Sequence, residues 1–349
     1  MAPTAIDTEV PIHISAKSSH PHPLKVSAAL DQYESFDVTP NIGREDLAIT
    51  ISQRGVVFFR AQDNLTNELQ KQLILRLGEL TGRPSDSGLH IHPVLNSERE
   101  LGGSDPEIST ISSIQNKKYY RKPLEGENIS PKKQTTAQWH SDISFEPVPA
   151  DYSSLRLVEL PKTGGDTLWA SGYEIYDRLS TPYQKFLESL TVTFEQPGFA
   201  AAAERGGFTL YDKPRGNPKN IGSILKAVHP VVRTNPVTGW KSVFPVGGHV
   251  KHINDVTPEE SKHLLDWFLD LLQKNHEVQV RFRWQNANDI GAAIWDNRST
   301  FHTATFDYDG QGERFGNRAV GIGETPYQDP NSTGRREALG LPQVTSEYV

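Results

Sequence analysis

Cysteine is absent from the 349 residues. That excludes disulfides, a thiolate metal site and a cysteine nucleophile, and it makes a cytosolic address the default expectation. Long apolar runs are absent too. None approaches the roughly 20 residues that span a bilayer. Met1 to Lys17 mixes charged and polar residues without the apolar core of a signal peptide. No membrane partner is expected. Positive charge is in deficit, with 36 Lys and Arg against 43 Asp and Glu and a formal net charge of −7. Without a basic stripe to neutralise phosphates, a nucleic-acid partner is not expected either. The clusters Lys117-Lys118 with Arg121-Lys122, and Lys132-Lys133, read as solvated loop charges.

What is present begins with enough apolar residues, 36% of the chain, to bury a sizeable core. There is no internal repeat or low-complexity block. Residues 1–25, with His20, Pro21, His22 and Pro23, lack periodicity and read as a loose arm. Residues 26–349 read as one domain. Gly55 to Arg60 is a short apolar run suited to a buried strand. Thr66 is placed to cap a helix that puts Leu69, Leu73, Leu77 and Leu80 on one face. Residues 83–138 are rich in Ser, Gly, Pro and Lys and read as long loops around a site.

Thr181-Pro182-Tyr183-Gln184 offers an N-cap, a proline at the first helical position and a capping-box glutamine. Thr257-Pro258-Glu259-Glu260 repeats the logic, with Leu264, Leu265, Phe268, Leu271 and Leu272 on one stripe. Strands are expected at Ser154 to Leu160, Val231 to Thr234, Val243 to Val246, Val278 to Trp284 and Arg318 to Gly323. Val278, Val280, Phe282 and Trp284 alternate with polar neighbours, so that strand should be half-buried. Many short strands with a few helices predict a β-barrel or jelly roll with helices outside it.

The chemistry-bearing residues are His140-Ser141-Asp142 and, far downstream, His302. Two imidazoles and a carboxylate can cap one face of an octahedral metal and leave three positions open, the arrangement of non-haem Fe(II) oxygenases. On a strand, His140 and Asp142 would point to one face. Alone, H-x-D is a weak pattern, equally met by two side chains in ordinary hydrogen bonds. Asp296 and Arg298, just before His302, read as a structural pair. Arg314 and Arg318 follow. An arginine fork grips a carboxylate, so one could hold the distal end of 2-oxoglutarate and the other an anionic substrate. The alternative for either is a surface ion pair. Gly164-Gly165-Asp166-Thr167-Leu168-Trp169 permits a tight turn, with Thr167 offering a hydroxyl to the same carboxylate. Its alternative is a plain hairpin turn entering a buried strand. His90, His229, His249, His252, His263 and His276 lack a carboxylate at metal spacing and read as structural or exposed.

Taken in order, Leu89-His90-Ile91-His92-Pro93-Val94, Trp139 to Asp142, Gly164 to Trp169, His229 to Thr234, Ile294 to Arg298, His302, Arg314 and Arg318 resemble the taurine dioxygenase (TauD/TfdA) family. The flanks, including Asn331 to Leu341, resemble its fungal-type branch, which includes alpha-ketoglutarate-dependent sulfonate dioxygenases. The resemblance implies a double-stranded β-helix, mainly β with flanking helices, and Fe(II), 2-oxoglutarate and O2 as reactants. It assigns iron to His140, Asp142 and His302, and 2-oxoglutarate to Thr167 and Arg314. His92 and Arg318 would face the anionic group of a small organic substrate. The reaction would convert 2-oxoglutarate to succinate and CO2 while oxidising a substrate C–H bond. Relatives are often dimers or tetramers.

Three departures bear on these expectations. Leu95 and Thr136 stand where taurine-cleaving members carry a tyrosine and an asparagine, which argues for a longer or more apolar anion than taurine. Ile290 to Ile294 is two residues longer than usual, enough to shift the strand of His302. The passage from Asn41 to Ala48 is short. An alkyl sulfonate or sulfate ester is the favoured substrate. A carboxylate such as an amino acid is the alternative, with hydroxylation, desaturation or cyclisation as the outcome. Outside this class, the triad would suit a zinc hydrolase or an inactive binding protein of the same fold.

Overall fold

The computed structural model describes residues 44–99, 102–120, 138–285 and 292–343. The arm at 1–25, Thr136, Arg121, Lys122, Lys132, Lys133 and the lengthened stretch before Ala292 lie outside these residues. Helix α1 (Arg44–Arg54) leads into strand β1 (Val56–Phe59), and α2 (Asn67–Leu80) follows. Strand β2 (Ser109–Ser112) runs into a single turn, α3 (Ser113–Gln115), and a π-helical turn over Asn116–Tyr120. Then come β3 (Ala150–Glu159), β4 (Thr167–Ser171), α4 (Gly172–Asp177), α5 (Thr181–Glu188), β5 (Thr191–Glu195) and α6 (Pro197–Gly206). Short strands β6 (Lys226–Pro230), β7 (Val232–Thr234), β8 (Lys241–Val243) and β9 (Val250–Ile253) precede the long α7 (Pro258–Lys274). Strands β10 (Gln279–Phe282), β11 (Ala292–Asp296), β12 (Thr300–Ala304) and β13 (Phe315–Ile322) and a last turn, α8 (Arg335–Ala338), complete the chain.

Two antiparallel sheets make the barrel of a jelly roll. One has the order β1-β11-β3-β13-β2, the other β10-β4-β12. Trp169 of β4 meets Phe58 of β1 edge-on at 5.2 Å and Trp295 of β11 at 5.7 Å. Leu155, Leu157, Phe282, Trp284 and Ala293 complete this buried layer between the sheets. The strand order is non-sequential because strands distant in the chain alternate between the two faces, as closure of a double-sheet roll requires. A second three-stranded sheet, β6-β5-β9, and the hairpin β7-β8 carry the larger core, with Phe194, Phe244 and Phe268 fully buried. Helix α2 lies on the outer face of the five-stranded sheet, where Ile74 and Leu77 pack with Tyr152 and Ala319.

Local signals set several ends. The Thr66 hydroxyl accepts from the Leu69 amide and caps α2. Thr257 and Glu260 form the reciprocal capping box of α7, whose Leu264, Phe268 and Leu272 are buried, with Leu265 and Leu271 packed partly against them. Asp296 and Arg298 pair as expected, Oδ1 to Nε at 2.8 Å.

Other expectations need correction. Helix α5 starts after Ser180, not Thr181, without a side-chain cap, and the Gln184 side-chain NH2 donates to the Tyr176 carbonyl. Val280 is 40% exposed, not inward, and only Val278, Phe282 and Trp284 keep the buried pattern. The loop-rich region after 83 contributes β2, which extends the main sheet by pairing with β13. The extra length before Trp295 does not disturb β11, whose register with β3 is regular from Ala292 to Asp296. No helix among the described residues is long and apolar enough to cross a membrane.

Candidate active site

His140 is not on a strand. It makes an isolated antiparallel bridge to His302, amide to carbonyl at 3.1 Å and back at 2.8 Å. Residues directly opposite each other across such a bridge place their side chains on one face. The two imidazoles therefore lie side by side, centroids 4.3 Å apart. His302 sits mid-strand in β12, opposite Trp169, with its ring 4.8 Å from that of Trp295. The chain then turns at 142–145, with Ile143 in the left-handed region at φ 48°. That turn, rather than the alternation of a strand, brings Asp142 under both rings. Its Oδ1 is 3.8 Å from Nε2 of His140 and of His302. The three ligand atoms lie within 4.8 Å of one another, and among the described residues this is the one such cluster.

The chemistry of the donors fits a divalent metal. His140 Nδ1–H donates to the Gln138 carbonyl at 2.7 Å, which leaves the Nε2 lone pair facing the cluster. Burial lowers the pKa of both imidazoles, so they are neutral near pH 7. Burial opposes ionisation of Asp142, but the Arg318 guanidinium, together with the two imidazoles and the Ser153 hydroxyl, outweighs it and holds the carboxyl well below the usual range. Two neutral nitrogens and one anionic oxygen are the donor set of the facial triad.

Beyond the cluster, Gly164 and Gly165 both take positive φ, at 78° and 73°. This turn aims the Gly165 carbonyl at Arg314 Nε, 2.9 Å away. Arg314 Nη2 donates to Thr167 Oγ1 at 3.2 Å, and Trp284 Nε1 donates to the same oxygen at 3.0 Å. Both neighbours can only donate, so the Thr167 proton is left to be given to an acceptor. Burial pulls the Arg314 pKa down to about 10, and among the described residues no carboxylate comes within ion-pair distance of it. A desolvated guanidinium beside a hydroxyl donor suits an incoming carboxylate.

Arg318, on β13, reaches Asp142 Oδ1 with Nη1 at 2.6 Å. His92 is buried, and its Nδ1 accepts the amides of Val94 (3.0 Å) and Leu95 (2.9 Å). Its proton is therefore on Nε2. Burial, reinforced by Arg318, lowers the ring pKa well below the ordinary value, making His92 a neutral donor. The Leu95 side chain packs with Val94 and Tyr119, with Phe199 and Tyr120 partly buried against them. Thr136 lies outside the described residues. Rings connect His92 to the cluster in a chain: Phe199 at 5.1 Å from His92, Phe145 at 5.6 Å from Phe199, His249 at 5.1 Å from Phe145 and 5.3 Å from His140.

Several of these residues carry no local mark in the sequence. His249 reaches His140 because Gly247 and Gly248 press their backbone against Trp139. Glu146 forms a buried fork-to-fork pair with Arg215, at 2.5 and 2.8 Å, and also meets His90 at 3.2 Å. Asn297, between Asp296 and Arg298, is wholly buried against Asp142. Only its position between two readable charges could have drawn attention to it.

Comparison with known proteins gives this arrangement its class. The family model "Taurine catabolism dioxygenase TauD, TfdA family" matches residues 20–320, and the chain belongs to that family. It is an alpha-ketoglutarate-dependent dioxygenase, working with Fe(II), 2-oxoglutarate and O2. The alpha-ketoglutarate-dependent dioxygenase btcD of Neocamarosporium betae is 49% identical over 343 residues, covering 90% of this chain and 98% of that one. An alpha-ketoglutarate-dependent sulfonate dioxygenase of Saccharomyces cerevisiae is 29% identical, over 82% of this chain and 62% of that one. The crystal structure of a taurine dioxygenase from Burkholderia xenovorans superposes with a TM-score of 0.56 at 25% identity, covering 83% of this chain and 84% of that one.

Proposed function

We propose that this dioxygenase oxidises a C–H bond of a small anionic substrate, an alkyl sulfonate or sulfate ester in preference to a carboxylate. The supporting observation is the pair of buried guanidiniums that flank the His-Asp-His cluster, Arg314 beside Thr167 and Arg318 on Asp142. In this reading His140, Asp142 and His302 hold the iron, and Arg314 and Thr167 hold the far carboxylate of 2-oxoglutarate. Bound iron with O2 supplies the oxidant, and 2-oxoglutarate leaves as succinate and CO2. Arg318 and the Nε2–H of His92 grip the anion of the substrate. The ring chain from Phe199 to His249 excludes water and holds the hydrocarbon part near the metal. The name of the yeast relative supports a sulfonate. Leu95, with its apolar packing, supports a body longer than that of taurine. A zinc hydrolase would have no use for the Arg314–Thr167 pair.

Succinate formation tests the reading. Protein purified without oxygen is given Fe(II), 2-oxoglutarate and O2 with taurine, hexanesulfonate, hexyl sulfate, hexanoate or amino acids. Succinate should rise most with hexanesulfonate or hexyl sulfate. A rise confined to carboxylates would overturn the substrate assignment. Full activity in His140→Ala or Asp142→Ala would overturn the metal assignment.

A further inference from the structure

Asp142 lies in a turn, so the sheet ladder does not fix its carboxylate. Arg318 Nη1 meets its Oδ1 at 2.6 Å, and six further hydrogen bonds, five of them to Asn297, surround the residue. The Asp142 amide donates to Asn297 Oδ1 at 3.1 Å, and Trp295 Nε1 donates to the same oxygen at 3.0 Å. Asn297 Nδ2 donates to Ser153 Oγ at 2.8 Å and to the Asp151 carbonyl at 3.2 Å. Ser153 Oγ in turn donates to Asp142 Oδ2 at 2.8 Å. The Ser141 hydroxyl donates to the Asn297 carbonyl at 2.7 Å.

The direction of every bond is forced. An indole N–H and a backbone amide can only donate, so the oxygen of the Asn297 carboxamide must face them. Its NH2 then faces Ser153 and the Asp151 carbonyl, which can only accept. Ser153, already accepting, has its single proton left for Asp142 Oδ2. That oxygen is thereby held by Ser153. The other, Oδ1, accepts from Arg318 Nη1 at 2.6 Å and is the one turned toward both histidine Nε2 atoms at 3.8 Å.

We infer that Asn297 and Ser153 are positioning residues that select Oδ1 as the sole metal-binding oxygen of Asp142 and set the carboxylate's angle. This rests on the reading that the triad holds the metal. A carboxylate free to rotate could bind through both oxygens and use up a coordination position needed by the reactants. Partners of ligating carboxylates act in this way on metal affinity.

The test uses Co(II) binding to the full-length metal-free chain, followed by visible absorption, with thermal unfolding of the metal-free protein alongside. Wild type should bind one Co(II), and His302→Ala should not. Ser153→Ala removes one oxygen and leaves the fold intact. It should weaken Co(II) binding about 10- to 100-fold and alter the absorption bands as the coordination number changes. Asn297→Ala should weaken binding at least as much. The double variant should lose less than the two single losses combined, because Asn297 acts on Oδ2 only through Ser153. Should Asn297→Ala fail to fold, Ser153→Ala decides alone. Unchanged Co(II) affinity and bands in Ser153→Ala, with wild type binding normally, would overturn the inference and leave the triad reading standing. Failure of wild type to bind Co(II) would overturn the triad reading itself.

Discussion

Arg314 and Arg318 are four residues apart and meet different partners, and that difference predicts different losses. Among the described residues, the Arg314 guanidinium bonds only to neutral groups, the Gly165 carbonyl and the Thr167 hydroxyl. In the proposed reading its charge is available for 2-oxoglutarate. A hydrogen bond to a charged group contributes about 1.5–3 kcal/mol, so Arg314→Ala should raise the KM for 2-oxoglutarate about 10- to 100-fold. Arg318→Ala should move that constant far less and act on the primary substrate. Measuring both constants in both variants checks the assignment, and the reverse ordering would mean that the two roles are exchanged. The His-Asp-His cluster that could hold a metal was legible from residue types, because two His and an Asp admit few other readings in such company. What was not legible was how His140 and Asp142 meet. Their two-residue spacing suggested a strand, but a bridge and a left-handed Ile143 achieve the convergence instead. Backbone dihedrals of that kind leave no residue-type signature when the residue is an isoleucine.

Among the elements, the turn between β8 and β9 shows how a backbone can position a ligand. Gly247 has φ +89°, and a Cβ there would sit 1.5 Å from the Trp139 carbonyl oxygen. The neighbouring Gly248 amide donates to that same oxygen at 3.1 Å. Gly247→Ala must therefore push Trp139 and His140 away or distort the turn. Strain at such a φ alone costs about 1–3 kcal/mol. The variant should unfold at lower urea and bind Co(II) more weakly, whereas Gly239→Ala, with open space around its Cβ, should lose stability from its φ alone and leave Co(II) binding unchanged. Capping signals were the most readable part of the elements: Thr66 and Thr257 cap as their spacing suggests. Thr181 did not: Ser180 stands at the cap position instead, and the Gln184 side chain donates to the Tyr176 carbonyl, a contact that no local pattern encodes. Val280 failed for a related reason. Strand β10 is an edge strand of its sheet, and alternation predicts a face without saying whether anything covers it.

For the whole molecule, buried neutral histidines tie stability to pH. His229 packs between Phe194 and Phe244 and bonds through Nε2 to the carbonyls of Ser144 and Glu146. Burial, aided by Arg233, pushes its pKa down to about 3. In the unfolded chain the ring titrates near 6.5. Between those values the unfolded state binds a proton that the folded state refuses, so stability is present above about 6.5 and falls as pH drops toward 3. One such group contributes a slope of up to about 1.4 kcal/mol per pH unit. His229→Gln should flatten the decline in urea stability between pH 7 and pH 5 by roughly that slope, with little pH-dependent difference from wild type above pH 7. An undiminished slope would show that other groups govern acid unfolding. The jelly roll itself was legible because many short apolar runs and few helices leave little choice of architecture. The order β1-β11-β3-β13-β2 was not, since pairing partners more than 200 residues apart share no local signal.

Strand β13 joins both proposed anion sites to one rigid bar. Arg314 precedes its first residue and Arg318 lies within it. At about 3.3 Å per residue, the two α-carbons are roughly 13 Å apart along the strand. With the His-Asp-His cluster beside Arg318, this spacing would work as a ruler in the proposed reading. The proposed anchor fixes the charged end of the substrate, so the carbon that is oxidised is counted from that end. Lengthening the tail in a homologous series would extend it away from the metal and change affinity, while the position of oxidation would stay the same.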